Sequence, residues 1–162
     1  MKKIIVIGCP GSGKTTFSLK LSEKLGLPIF HLDAIWHRGD KTHISREEFD
    51  ERLSEITALD AYIIDGNYSR TLEYRLIRSD TVILFDLPTN VCIQGALSRV
   101  GKKRCDMPWS ESELDPRFRG EIEGFRSEKL PQIYSLLEKH KTEKEVIVFT
   151  SREDAEKFLA EC

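Results

Sequence analysis

The chain has 162 residues, enough for one domain with a single core and too few for a second independent one. It carries 25 basic and 27 acidic residues for a net charge of −2, with the signs interspersed, so nothing favours general adhesion to DNA or to an acidic membrane surface. No apolar run approaches the ~20 residues of a membrane span, and Met1-Lys2-Lys3 leads into a short apolar stretch rather than a signal peptide.

Cys9, Cys92, Cys105 and Cys162 show neither a CxxC pair nor metal-ligand spacing, the usage of a reducing compartment. The expectation is a soluble cytoplasmic protein, monomer or homodimer, with residues 1–162 forming one domain.

In chain order, the apolar run Ile4–Ile7 predicts a first strand that leads directly into Gly8-Cys9-Pro10-Gly11-Ser12-Gly13-Lys14-Thr15. That octet fits GxxxxGK[ST], the phosphate-binding P-loop. Thr16 follows, and Phe17, Leu21 and Leu25 mark a helix that stops at Gly26 with Pro28 just beyond. Glycines let the backbone approach an anion closely, so that successive N–H groups and the positive end of the helix converge on phosphate oxygens. Lys14 then reaches the β/γ-phosphates, and the Thr15 hydroxyl holds Mg²⁺.

A weaker strand is expected at Pro28–His31, and buried strands at Tyr62–Ile64, Val82–Phe85 and Val146–Phe149, whose apolar runs are continuous rather than alternating. Helical patterns separate them. Ser45 and Glu48 form a capping box, with Ile44 and Phe49 placed as a hydrophobic staple and Leu53 and Ile56 following. A helix after Pro88 carries Ile93, Ala96, Leu97 and Val100; a long pattern from Phe118 through Ile122, Phe125, Leu130 and Ile133 to Leu137 includes Pro131, which predicts a kink or a restart. The last helix opens at Ser151, with Asp154 three places on. Strand and helix alternating in this way predict an α/β fold, a parallel sheet covered by helices on both faces. Between two helices, Gly101–Pro116 is irregular and densely charged, the character of a lid or binding loop or of a disordered segment.

Ligands of open α/β sheets bind beyond the carboxyl ends of the strands, so the residues there are the candidates. Asp33 is placed to accept a proton from an attacking hydroxyl or to order the Mg²⁺ shell, or else it is a turn aspartate. Asp65, after Tyr62-Ile63-Ile64, fits a Walker-B-type magnesium aspartate. Asp86 is at least as well explained by a structural role. His31, Trp36 and His37 offer stacking and hydrogen-bonding surfaces for a substrate, and Asn67, in the turn after Asp65, is a further candidate substrate contact. Arg70 and Arg75 follow that turn and either hold an anionic substrate or form a solvated helix face. Arg99 and Arg104, beside Lys102 and Lys103, offer a catalytic guanidinium worth about 10³–10⁵ in rate, or basic groups that offset a helix dipole.

Together GCPGSGKTT, HLDAIWH, YIIDGNYSR, SDTVILFDLP, KKRCDMP and VFTSREDAEKFL resemble the small P-loop kinase-like proteins known as DNA topology modulation proteins, the FlaR-like group. More distantly the chain is similar to adenylate, shikimate and gluconate kinases. The resemblance implies a three-layer αβα fold, a five-stranded parallel sheet in the order 2-3-1-4-5, and a lid at about residues 101–116. It implies that Arg104 lies over the nucleotide, that Ser151 and Arg152 border the base, and that Asp33 stands near Mg²⁺ and the acceptor hydroxyl. Trp36-His37-Arg38-Gly39-Asp40 and Arg104-Cys105-Asp106-Met107 depart from that group's usual pattern, at the acceptor side and the lid.

The leading expectation is therefore a Mg²⁺- and ATP-dependent kinase of a nucleoside, nucleotide or other small metabolite. The competing one is a nucleotide-switched ATPase that acts on a macromolecular partner or on DNA topology, although no helix-turn-helix or basic stripe is present.

Overall fold

All residues 1–162 are described by the computed structural model. Five strands, β1 (Lys3–Gly8), β2 (Ile29–His31), β3 (Tyr62–Asp65), β4 (Thr81–Phe85) and β5 (Glu145–Phe149), pair in parallel in the order β2-β3-β1-β4-β5. The continuous apolar runs occupy the centre: Ile4, Ile5, Val6 and Ile7 of β1 and Val82, Ile83 and Leu84 of β4 are fully buried. Each such side chain contributes roughly 1.5–3 kcal/mol by leaving water, which is why these runs seek the doubly covered middle of the sheet. The edge strand β5 is correspondingly less apolar and more exposed.

Around the sheet lie α1 (Lys14–Leu25), α2 (Leu32–Trp36), α3 (Arg46–Thr57), α4 (Ser69–Arg78), α5 (Thr89–Ser98), α6 (Pro116–Gly124), α7 (Leu130–His140) and α8 (Arg152–Glu161). Ser45 caps α3 by accepting from Glu48 N at 3.1 Å, and α8 has a reciprocal capping box between Ser151 and Asp154. Gly26 ends α1 in the left-handed conformation expected of it. The long pattern from Phe118 divides into α6, a π-helical turn at Phe125–Lys129, and α7. Pro131 lies in the first turn of α7, where its missing N–H costs nothing, so the break falls just ahead of it. Two details differ from expectation. The short α2 follows β2 directly and carries Asp33, and α5 ends at Ser98, before Val100.

No helix is long and apolar enough to cross a membrane. The segment between α5 and α6 contains turns and bends only, held in part by Gly101 N donating to Glu111 O at 2.5 Å.

Candidate functional site

The register of the sheet assembles the first cluster. Val6 pairs with Asp65 and Asp65 with His31, so the ends of β1, β3 and β2 stand side by side beneath the phosphate loop. Thr15, at the start of α1, donates its hydroxyl to Asp65 Oδ2 at 2.8 Å, and His31 Nδ1 donates to the same oxygen at 2.9 Å. Gly11 and Gly13 take φ values of 83° and 101°, which bend the loop in a way that a side chain would strain. Lys14 Nζ rests 3.4 Å from Cys9 O.

A second cluster fixes Asp33. Tyr68 donates its hydroxyl to Asp33 Oδ1 at 2.7 Å, while burial, the Asp33 charge and that hydrogen bond push the phenol far above its ordinary value and keep it a donor. Tyr68 itself sits at φ 35°, a left-handed position that costs a tyrosine energy. Arg75 holds it there. The Arg75 side chain is fully buried and donates to Gly66 O at 2.9 Å, to Tyr68 O at 3.1 Å and to Asn67 O. Burial pulls this guanidinium below its usual value, against the raising influence of Asp65 and Tyr68.

The lid adds a carboxylate that the sequence did not single out. Asp106 is buried, accepts from Arg104 Nε at 2.9 Å and Nη2 at 2.5 Å, and places Oδ2 3.4 Å from the Thr15 hydroxyl. Burial raises its carboxyl, but the Arg104 fork and the Arg99 charge outweigh that and hold it below the usual carboxylate range. Arg99 is pushed down by burial and then by Arg104, and its Nε is buried without a hydrogen-bond partner. Hidden in a run of charged residues without periodicity, Asp106 offered no signal except its place beside Arg104.

Two cavities meet at this junction. The larger, about 600 Å³, is lined by Lys14, Thr15, Asp33, Asp65, Arg99, Arg104 and Asp106. It is also lined by Trp36, His37, Tyr68, Trp109, Phe118 and Glu121. Both its volume and its mixture of apolar walls with convergent polar groups suit a small molecule. The smaller, about 290 Å³, lies across the phosphate loop between Ser12, Gly13, Thr16, Ser98, Arg152 and Glu156, and Arg99 borders both. Ser12 Oγ, like Arg99 Nε, is buried without a partner, so an oxygen-rich ligand here would satisfy groups that are costly to leave unpaired. Thr15, Asp65 and Asp106 supply hard oxygens suited to Mg²⁺, although no group of three or more His, Cys, Asp or Glu side chains forms a complete metal cage. Magnesium beside phosphates takes only one or two carboxylates, so the donor set fits.

Several expected site residues are used otherwise. Arg75 is buried on backbone carbonyls and lines neither a substrate cavity nor a solvated helix face, because the strained turn after β3 needs its donors. Arg70 forms an exposed fork with Asp50, at 2.7 and 3.0 Å, outside the cavity. Asn67 reaches the cavity, but its amide is committed to Gly8, accepting from Gly8 N at 3.0 Å and donating to Gly8 O at 2.8 Å. Ser151 is committed to capping α8, whereas Arg152 donates to Gly11 O at 3.1 Å and lines the smaller cavity. Trp36 lines the larger cavity, with its indole stacked on His43 at 4.3 Å. Asp86 ties the end of β4 to Arg126 and Tyr134. Cys9 is buried, and Cys92 and burial push its thiol up, so it is a packing residue.

No family model matches the chain. It is 26% identical over 148 residues to adenylate kinase of Thermotoga neapolitana, covering 72% of this chain and 67% of that protein. To adenylate kinase of Mycobacterium tuberculosis it is 30% identical over 91 residues, 44% of this chain and half of that protein's length. Among solved structures, shikimate kinase from Acinetobacter baumannii, in complex with shikimate, superposes with a TM-score of 0.64 at 18% identity, covering 98% of this chain and 91% of that one. Shikimate kinase from Bacteroides thetaiotaomicron gives 0.57 at 21% identity, covering 98% and 94%. The fold is that of the P-loop kinases, and both kinds of relative point to the P-loop kinase-like proteins.

Proposed function

We propose that the protein is an ATP-dependent phosphotransferase whose acceptor is a small hydroxyl-bearing molecule of nucleoside or nucleotide type. The observation that carries this reading is a pair of cavities that share Arg99: one across the phosphate loop, of a size for a base, and a larger one lined by Lys14, Thr15, Asp65 and Asp33, of a size for an acceptor. The adenylate and shikimate kinases that the chain resembles support the reaction class.

In this reading the phosphate loop and Lys14 fix the donor phosphates, with the base in the smaller cavity beside Arg152. Thr15 and Asp65, with Asp106 or Asp33, would hold Mg²⁺, which neutralises phosphate charge when bound. Asp33, fixed by Tyr68, takes the proton of the acceptor hydroxyl as that oxygen bonds to the γ-phosphorus and the bond to the β-phosphate oxygen breaks. The lid at about 101–116 excludes water from the reacting phosphoryl group, with Arg104 and Arg99 supplying positive charge.

A nucleotide-switched ATPase that acts on a macromolecule or on DNA topology would not need an acceptor-sized cavity joined to the phosphate site. The test is ADP release from Mg·ATP with nucleosides, nucleoside monophosphates, gluconate and shikimate, in the wild type and Asp33→Asn. Stimulation by one acceptor, lost in the variant, is the expected result; a background that no acceptor raises would favour the switch.

A further inference from the structure

We infer that the acceptor is an uncharged, ring-bearing polyol of nucleoside type rather than a phosphate or carboxylate compound. This rests on the kinase reading above and narrows the chemistry of its acceptor cavity.

An anionic acceptor needs guanidinium or ammonium groups on the wall that receives it, because a buried phosphate or carboxylate without a partner is costly. The two arginines that the sequence places after the Asp65 turn are not free to supply them. Arg75 is spent on three backbone carbonyls, and Arg70 is spent on Asp50 outside the cavity. Lys14 belongs to the donor loop, and Arg104 is held by its fork to Asp106 over the phosphate end of the site. Arg99 lines both cavities, and in the kinase reading its charge is directed at the transferring phosphoryl group.

What remains on the acceptor wall is aromatic and carries more carboxylates than cations. Arg117 lines the cavity from an exposed position, and it is outnumbered there by Glu121, one turn along the same helix, and by Glu111, Glu113 and Asp115. Like charges brought together repel, so a dianion entering here would meet a penalty that its uncharged counterpart avoids. Trp36 and Trp109 line the cavity too and give it aromatic surface against which a ring can pack. Hydroxyl groups can donate to the surrounding carboxylates, which phosphate oxygens at neutral pH cannot.

The experiment compares adenosine, guanosine, cytidine and uridine with their 5′-monophosphates, and with shikimate and gluconate. Equilibrium binding is measured with a non-hydrolysable ATP analogue and Mg²⁺ present, and kcat/KM with Mg·ATP. The expected result is at least about tenfold preference for one nucleoside over its own monophosphate, in both measurements. Glu121→Lys, an exposed substitution, should narrow that ratio severalfold while leaving thermal stability unchanged. Preference for the monophosphate or a sugar acid would overturn the inference and leave the kinase reading standing. Absence of binding and turnover for every compound would overturn both.

Discussion

The hydroxyl of Tyr68 lies 2.7 Å from Asp33 Oδ1 and donates to it, from a backbone position at φ 35° that tyrosine takes only under compulsion. Strain of this kind costs about 1–3 kcal/mol and persists where its surroundings over-determine it. Here Arg75 supplies the compulsion by gathering the carbonyls of Gly66, Asn67 and Tyr68. The geometry of the candidate base is thus set by a buried arginine that touches neither cavity.

Tyr68→Phe removes the hydrogen bond but keeps the ring, which packs on Phe49 at 5.3 Å. Phosphoryl transfer should fall by about tenfold to a hundredfold, the usual loss when a carboxylate close to a metal site loses its orienting partner. Circular dichroism and the melting temperature should stay near wild type. Unchanged turnover would remove Tyr68 from the machinery.

Arg75→Met keeps an unbranched, apolar stem and abandons three part-buried carbonyls, at about 1–3 kcal/mol for each group left unsatisfied. A loss of about 3 kcal/mol or more is expected in urea unfolding. Arg70→Ala breaks an exposed pair and should cost no more than about 1 kcal/mol. Equal losses in the two variants would contradict the roles assigned to them.

Gly95→Ala separates helix propensity from close packing. In an ordinary helix interior the change stabilises by about 1 kcal/mol. Here the new methyl carbon would lie 1.9 Å from Gly11 O, a backbone atom of the phosphate loop. The clash should win, so the variant should melt lower than wild type and lose the upward shift that Mg·ATP gives. A gain in melting temperature would show that the loop yields freely.

The lid should be latched by Asp106 throughout the neutral range. Its carboxyl is held below the usual value because Arg104 and Arg99 outweigh the effect of burial. A depressed carboxyl contributes stability above its unfolded value of about 4 and loses it as pH falls through the lower folded value. Hydrogen exchange over residues 101–115 should therefore be flat from pH 8 to about 5 once corrected for intrinsic rates. Asp106→Asn should expose those amides at every pH, and unchanged protection would count against the latch.

Much of the architecture was legible because its causes are local. Ile4–Ile7 and Val82–Phe85 are continuous apolar runs that only a doubly covered strand explains, and the glycine loop between β1 and α1 announces its own geometry. Ser151 with Asp154 gave the start of α8 for the same reason. The acceptor side was less legible because its logic is tertiary. An arginine in an amphipathic helix reads as a surface or ligand group, and nothing near Arg75 in sequence reveals three carbonyls waiting in a strained turn. Asp106 meets Thr15 across 91 residues, a relationship that depends on how the lid folds back. Asn67 looked like a substrate ligand because it follows Asp65, yet Gly8 on the neighbouring strand claims both ends of its amide.

The most direct test is to follow the fate of the γ-phosphate by phosphorus-31 NMR, with the protein, Mg·ATP and a mixture of nucleosides. The expected result is a new phosphomonoester signal growing in step with ADP, absent in a folded Lys14→Ala variant. Growth of ADP and inorganic phosphate alone, at a rate indifferent to the nucleosides, would contradict phosphoryl transfer to a small acceptor.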